Sequence, residues 1–156
     1  MKAEQKKVIY FHGLESGQGG EKVDFLAKKY LTIAPSMDYY NPELFQEMLE
    51  LVQDIEPDVL IGSSMGGYFA YTIATHTGTP VILFNPALHS RTFEPQGVTQ
   101  GEKEVVGVIV NGSEDDLIDP TKTANMLRES ITAGQLRYHL GDHGHRTPLT
   151  VFEDYL

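Results

Sequence analysis

Cysteine is absent from the 156-residue chain. That excludes disulfides, thiolate metal sites and a cysteine nucleophile. Positive charge is scarce: 12 lysines and arginines stand against 22 aspartates and glutamates, for a net charge of −10. A surface of that sign repels phosphate backbones and anionic headgroups, which argues against nucleic-acid or membrane-surface binding. Long hydrophobic runs are missing too. No window approaches the roughly 18 apolar residues of a membrane span. Residues 8–11 are too short a run for the core of an export signal and lead straight into a polar, glycine-rich stretch. The expectation from these absences is a cytoplasmic protein with no nucleic-acid or membrane partner. There is no internal repeat, low-complexity tract or linker composition. With 40% apolar and 22% charged residues, the chain reads as one globular domain over 1–156, large enough to hold its core without staples.

Short apolar runs alternate with amphipathic stretches. Residues 8–11, 31–34, 59–61, 80–84, 105–110 and 136–140 read as strands. Between them, Val23, Leu26, Ala27 and Tyr30 recur at helical spacing. Asn41-Pro42 opens a second helix with Leu44, Met48, Leu51, Val52 and Ile55 as its stripe. The helix after residue 64 carries Phe69, Ala70, Ile73 and Ala74 and ends at Gly78. Asp119-Pro120 caps a fourth, with Ala124, Leu127 and Ile131, and Thr147-Pro148 starts a last one with Leu149, Phe152 and Leu156. Residues 85–104 have weak pattern and read as loop with at most one turn of helix. Continuous apolar strands separated by amphipathic helices predict an α/β fold, a parallel sheet sandwiched between two helical layers.

Gly62-Ser63-Ser64-Met65-Gly66 follows a buried strand directly and precedes a helix directly. Gly-x-Ser-x-Gly in that context matches the nucleophile elbow, a sharp turn that lifts a serine hydroxyl clear of the sheet. Side chains two positions either side would clash in so tight a turn. A phosphate-binding loop is disfavoured: no lysine follows the glycines and Gly-x-Gly-x-x-Gly is absent. A serine alone is a weak nucleophile and needs a base, an orienting acid and an oxyanion hole. No His-Glu-x-x-His pattern is present, and no metal or cofactor is expected.

Three stretches together, Tyr10-Phe11-His12-Gly13-Leu14, residues 62–67, and Asn111-Gly112-Ser113-Glu114-Asp115 with Pro120 beyond, make the chain resemble the α/β-hydrolase superfamily. Gly141-Asp142-His143-Gly144 falls where the family's histidine loop belongs. The small size and lack of a lid make it most like the compact YqiA-like bacterial esterases. The resemblance implies six mostly parallel strands in the order 2-1-3-4-5-6, a reduced α/β-hydrolase sheet without a lid domain. It also implies the site. Ser64 is the nucleophile. The family's Gly-x-x-Asp spacing from Gly112 selects Asp115 as the acid, ahead of Asp116 and Glu114. A glycine two before the histidine selects His143 as the base, ahead of His145. Backbone N–H groups of Met65 and Leu14 form the oxyanion hole, and His12, Gly13 and Leu117 lie beside the substrate. The implied activity is cleavage of a small-molecule carboxylic ester or thioester through an acyl-enzyme. An acyltransferase, a C–C hydrolase or lyase, and a non-catalytic binding protein of the same fold are the alternatives.

Overall fold

The computed structural model describes residues 5–14, 17–129 and 135–156. Six parallel strands form one sheet in the order β2-β1-β3-β4-β5-β6. They are β1 (Lys7–Phe11), β2 (Leu31–Ile33), β3 (Val59–Ser63), β4 (Val81–Phe84), β5 (Val106–Gly112) and β6 (Gln135–Gly141). The helices between them are α1 (Glu21–Lys29), α2 (Leu44–Ile55), α3 (Met65–Thr77), α4 (Pro120–Glu129) and α5 (Leu149–Glu153). The parallel sense is as the apolar strands predict, and the order is the one the family resemblance implies.

Strand alternation divides the core between two faces. Ile9, Phe11, Leu60 and Ile109 point to the side covered by α2 and α3, against Phe45, Leu49, Phe69 and Ile73. Val8, Tyr10, Ile61 and Val110 point to the side of α1 and α5, against Leu26 and Phe152. α3 lies behind β3, and ten of its thirteen residues are buried. That explains why its sequence is apolar all round rather than striped. Gly78 ends α3 in the left-handed region, at φ 75°, and Asp119 caps α4 by accepting from Thr121 N–H at 2.9 Å.

Some local expectations shift. Asn41 holds a turn, accepting from Glu43 N–H at 3.0 Å, and the helix proper begins three residues later. Its fully buried positions are Leu44, Phe45, Leu49 and Val52, with Met48, Leu51 and Ile55 only partly covered. Ala27 on α1 is exposed; Phe25, not on the predicted stripe, packs against the core instead. Ile131 and the side chain of Leu127 lie outside what is described.

Residues 85–104 contain no helix. The end of this segment is tied to α3: Lys103 N–H donates to Thr75 O at 2.8 Å and Gly101 N–H to Thr75 Oγ1 at 2.8 Å. Among the described residues, no helix is long and apolar enough to cross a membrane.

Candidate active site

All strands point the same way, so the loops that follow them gather at one edge of the sheet. A cavity of about 380 Å³ opens there. It is lined from five loops: Gly13 and Leu14 after β1, Ser64 and Met65 after β3, Ser90 to Thr92 after β4, Leu117 and Ile118 after β5, and His145 to Thr147 after β6.

Ser64 sits at the turn between β3 and α3 with φ 53° and ψ −116°. A positive φ in a non-glycine residue costs about 1–3 kcal/mol and persists only where the surroundings enforce it. Here they do. Ser64 N–H donates to Phe84 O on β4, and Ser64 O accepts from both Tyr68 and Ala87. The two glycines make the turn possible by contact distance. A Cβ on Gly66 would lie 2.0 Å from Phe11 O, and one on Gly62 would lie 2.4 Å from Gly66 O. The neighbouring Ser63 is occupied otherwise, its hydroxyl 3.1 Å from the Tyr10 hydroxyl. Burial pushes the Tyr10 phenol up from its ordinary range, against a smaller opposite effect of the Ser63 contact.

His145 Nε2 lies 3.0 Å from Ser64 Oγ, and His145 Nδ1 lies 2.9 Å from Asp115 Oδ2. A carboxylate only accepts, so the Nδ1 proton points to Asp115 and Nε2 presents its lone pair to the serine hydroxyl. Asp115 is buried, while Asp116 and Glu114 are exposed. Its other oxygen, Oδ1, accepts from Leu117 N–H at 2.8 Å and Ile118 N–H at 2.9 Å. The carboxylate is thereby fixed before it meets the imidazole.

His143 does not reach Ser64, and this corrects the choice between the two histidines. Its ring folds back over the ends of β5 and β6. Nδ1 donates to Gly144 O at 3.0 Å, and Nε2 is buried without a partner among the described residues. The two flanking glycines serve this packing: a Cβ on Gly112 would lie 2.1 Å from His143 O, and one on Gly141 would lie 2.9 Å from the His143 ring. The Gly-x-His spacing therefore marks a histidine that fills the loop, and the chain carries the next one to the serine.

Leu14, Met65, Gly13 and Leu117 line the cavity, but His12 does not. His12 is buried beneath the loop, where Nδ1 donates to Gly13 O at 2.7 Å and Nε2 accepts from Met37 N–H at 3.0 Å. Tyr39 donates its hydroxyl to His12 O. His12 thus shapes the Gly13-Leu14 loop from behind. Met65 opens α3, where N–H groups have no intrahelical acceptor and the helix dipole favours negative charge.

The sequence reading missed Asn85. It is fully buried, follows β4 and holds a positive φ of 44°. Its amide donates to His145 O at 2.7 Å, Gly144 O at 3.2 Å and Thr147 Oγ1 at 3.3 Å, and its carbonyl accepts from Gly112 N–H at 2.7 Å. One side chain thus pins the histidine loop to the end of β5. Asn85→Ala is expected to lose roughly 2–4 kcal/mol of unfolding free energy, because buried groups lose their partners. It is also expected to lower kcat by about 100-fold, through displacement of the imidazole, with little change in KM. Denaturant titration and steady-state kinetics check both; an unchanged kcat contradicts the positioning role.

The Uncharacterised protein family (UPF0227) matches residues 7–101. The chain belongs to this family. The matched stretch of this UPF0227 member includes the elbow and ends before Asp115 and His145. No curated protein sequence matches it. Solved structures of the α/β-hydrolase fold do. A protein assigned to the alpha/beta hydrolase superfamily from Xanthomonas campestris pv. campestris superposes with a TM-score of 0.71 at 24% identity, covering 95% of this chain and 91% of that one. A monoacylglycerol lipase from Paleococcus ferrophilus gives a TM-score of 0.73 at 12% identity, covering 96% and 90%. An N-formylmaleamic acid deformylase from Pseudomonas putida S16 gives 0.68 at 13% identity, covering 97% and 92%. The fold of this UPF0227 member is that of the α/β hydrolases.

Proposed function

We propose that the protein is a serine hydrolase that cleaves carboxylic esters or thioesters of small molecules through an acyl-enzyme. The observation that carries this reading is the chain of contacts from Asp115 through His145 to Ser64, set in a strained elbow at the floor of a cavity. Ser64 Oγ attacks the substrate carbonyl carbon as His145 Nε2 takes the hydroxyl proton. Asp115 holds the ring in the tautomer that leaves Nε2 free and stabilises the imidazolium that forms. The N–H groups of Met65 and Leu14 receive the charge that develops on the carbonyl oxygen. Collapse of the tetrahedral adduct breaks the bond to the leaving alcohol or thiol, which takes the proton back from Nε2. A water then gives a proton to His145 and its oxygen to the acyl carbon. The acid departs and Ser64 recovers its hydrogen.

Hydrolysis is favoured over acyl transfer because the cavity is open to water and residues 85–104 supply no lid helix to exclude it. The volume of about 380 Å³ suits a small molecule. A series of 4-nitrophenyl esters of increasing acyl length, run beside the acyl-coenzyme A thioesters of the same acids, tests the reading. Turnover is expected to be highest for short acyl groups, and absence of turnover on every member would contradict the proposal.

A further inference from the structure

Among the described residues, the charge that lines the cavity is opposite in sign to that of the chain. The protein carries a net −10, yet three of its 12 lysines and arginines line the cavity beside Ser64: Lys22, Arg91 and Arg146. No aspartate or glutamate is among the described residues that line it. In a chain with 22 acids against 12 bases, chance would favour the reverse.

The three cations are not equivalent. Arg91 is already satisfied. Its Nε donates to both carboxylate oxygens of Glu94 at 2.9 and 3.0 Å, Nη1 donates to Ala87 O and Leu88 O, and its guanidinium stacks 4.0 Å from the Tyr68 ring centre. It forms a wall. Lys22 and Arg146 are different. Neither has a hydrogen bond or an ion pair among the described residues. Lys22 comes from the first turn of α1, and its ammonium lies 5.7 Å over the Phe152 ring. Arg146 is the residue after His145.

The two cations sense each other. Burial pushes the Lys22 ammonium down from the ordinary lysine range, Glu21 opposes this, and the Arg146 charge pushes it further down. Two like charges that line one cavity, with no acidic residue among its described lining, form a site that an anion would complete. Their place also fixes where that anion would sit. Lys22 and Arg146 line the same cavity as Ser64 and His145, so the anion belongs to the same molecule as the scissile bond.

We propose that Lys22 and Arg146 bind a free carboxylate on the substrate, so that the ester cleaved is a half-ester of a short dicarboxylic acid. A carboxylate fits better than a phosphate: two cations, one of them opposed by Glu21, balance a single negative charge. A cavity of about 380 Å³ suits a short spacer. Net charge of the surface would slow the approach of such an anion, and the local pair would reverse that preference at the point of binding. This inference rests on the hydrolase reading for the identity of the scissile bond, but not for the binding of the carboxylate.

The test compares two esters of equal acyl length, mono-4-nitrophenyl glutarate and 4-nitrophenyl pentanoate, which differ in a terminal carboxylate against a methyl group. The wild-type protein is expected to favour the glutarate ester by about tenfold or more in kcat/KM, the scale of one charge-assisted contact. Added salt should reduce that ratio. Lys22→Met and Arg146→Met should each lower the ratio by about tenfold. Lys28→Met removes the same charge from an exposed position on α1 and should leave the ratio as it was. A wild-type ratio near one overturns the proposal, as does a ratio that Lys28→Met lowers as much as Lys22→Met. A parallel titration of free glutarate into Ser64→Ala protein, read by calorimetry, separates the two readings. Saturable binding that Lys22→Met and Arg146→Met abolish supports the carboxylate site even if neither ester is turned over, in which case only the hydrolase reading falls. Absence of glutarate binding overturns the carboxylate site even if pentanoate is hydrolysed.

Discussion

Ser64→Ala is expected to lower ester turnover by about 10⁴–10⁶-fold, because removal of the attacking oxygen leaves only binding and the oxyanion donors to act on the substrate. The fold should survive. The Ser64 hydroxyl contacts His145, whereas the bonds that hold the turn belong to its backbone. Alanine adopts the same φ of 53° and bears the strain that serine already bears, so little change in stability is the expected accompaniment. Ser63→Ala is the internal comparison. Ser63 stands one residue away, with its hydroxyl 3.1 Å from the Tyr10 hydroxyl, and its loss should change turnover far less. Steady-state rates of the two variants, beside their thermal unfolding, distinguish a lost nucleophile from a damaged elbow.

His145→Ala should cost about as much as Ser64→Ala, and the double variant little more, since each change abolishes the same attack. Non-additivity of that kind is the kinetic signature of residues that act as one unit. His143→Ala should behave differently. Its ring is buried over Gly112 and Gly141, so its removal leaves a cavity in the loop and appears as lost stability, with a much smaller change in the chemical step. If His143→Ala abolished turnover in a protein that stayed folded while His145→Ala did not, the base would have been assigned to the wrong histidine.

The contrast between these two histidines shows what a sequence reveals and where local pattern fails. The parallel strands and the elbow's strand–turn–helix are legible because each rests on short-range constraints: apolar runs bounded by turn residues, and a turn too tight for side chains. Strand order and the choice of Asp115 rest on the family resemblance instead. The histidine is a question of reach across the sheet. Three strand spacings separate β6 from β3 in the observed order, about 14 Å at 4.8 Å each. Two residues beyond Gly141 extend the backbone by at most about 7 Å, whereas four extend it by about 13–14 Å. The side chain adds the same length in either case. Topology and chain length together therefore favour His145, and the Gly-x-His spacing alone favours His143. Asn85 was hidden for a related reason. Its four partners are on β5 and on the histidine loop, so nothing near it in sequence signals the role. Helix faces were legible only in part. Phe25 falls on no stripe in the sequence because periodicity places a residue on a face but does not say how wide that face is where two layers meet. The cationic pair in the cavity was obscured by the net charge, which sums over the surface and carries no information about one concave site.

The most direct test of the account is covalent labelling with a fluorophosphonate, which reports an activated serine independently of any choice of ester. The wild-type protein should gain one phosphonyl group, and peptide mapping by mass spectrometry should place it on Ser64. The adduct should be absent from Ser64→Ala and formed far more slowly in His145→Ala. A label on Ser63 or another serine, or a His145→Ala protein that reacts at the wild-type rate, would contradict the claim that His145, held by Asp115, activates Ser64.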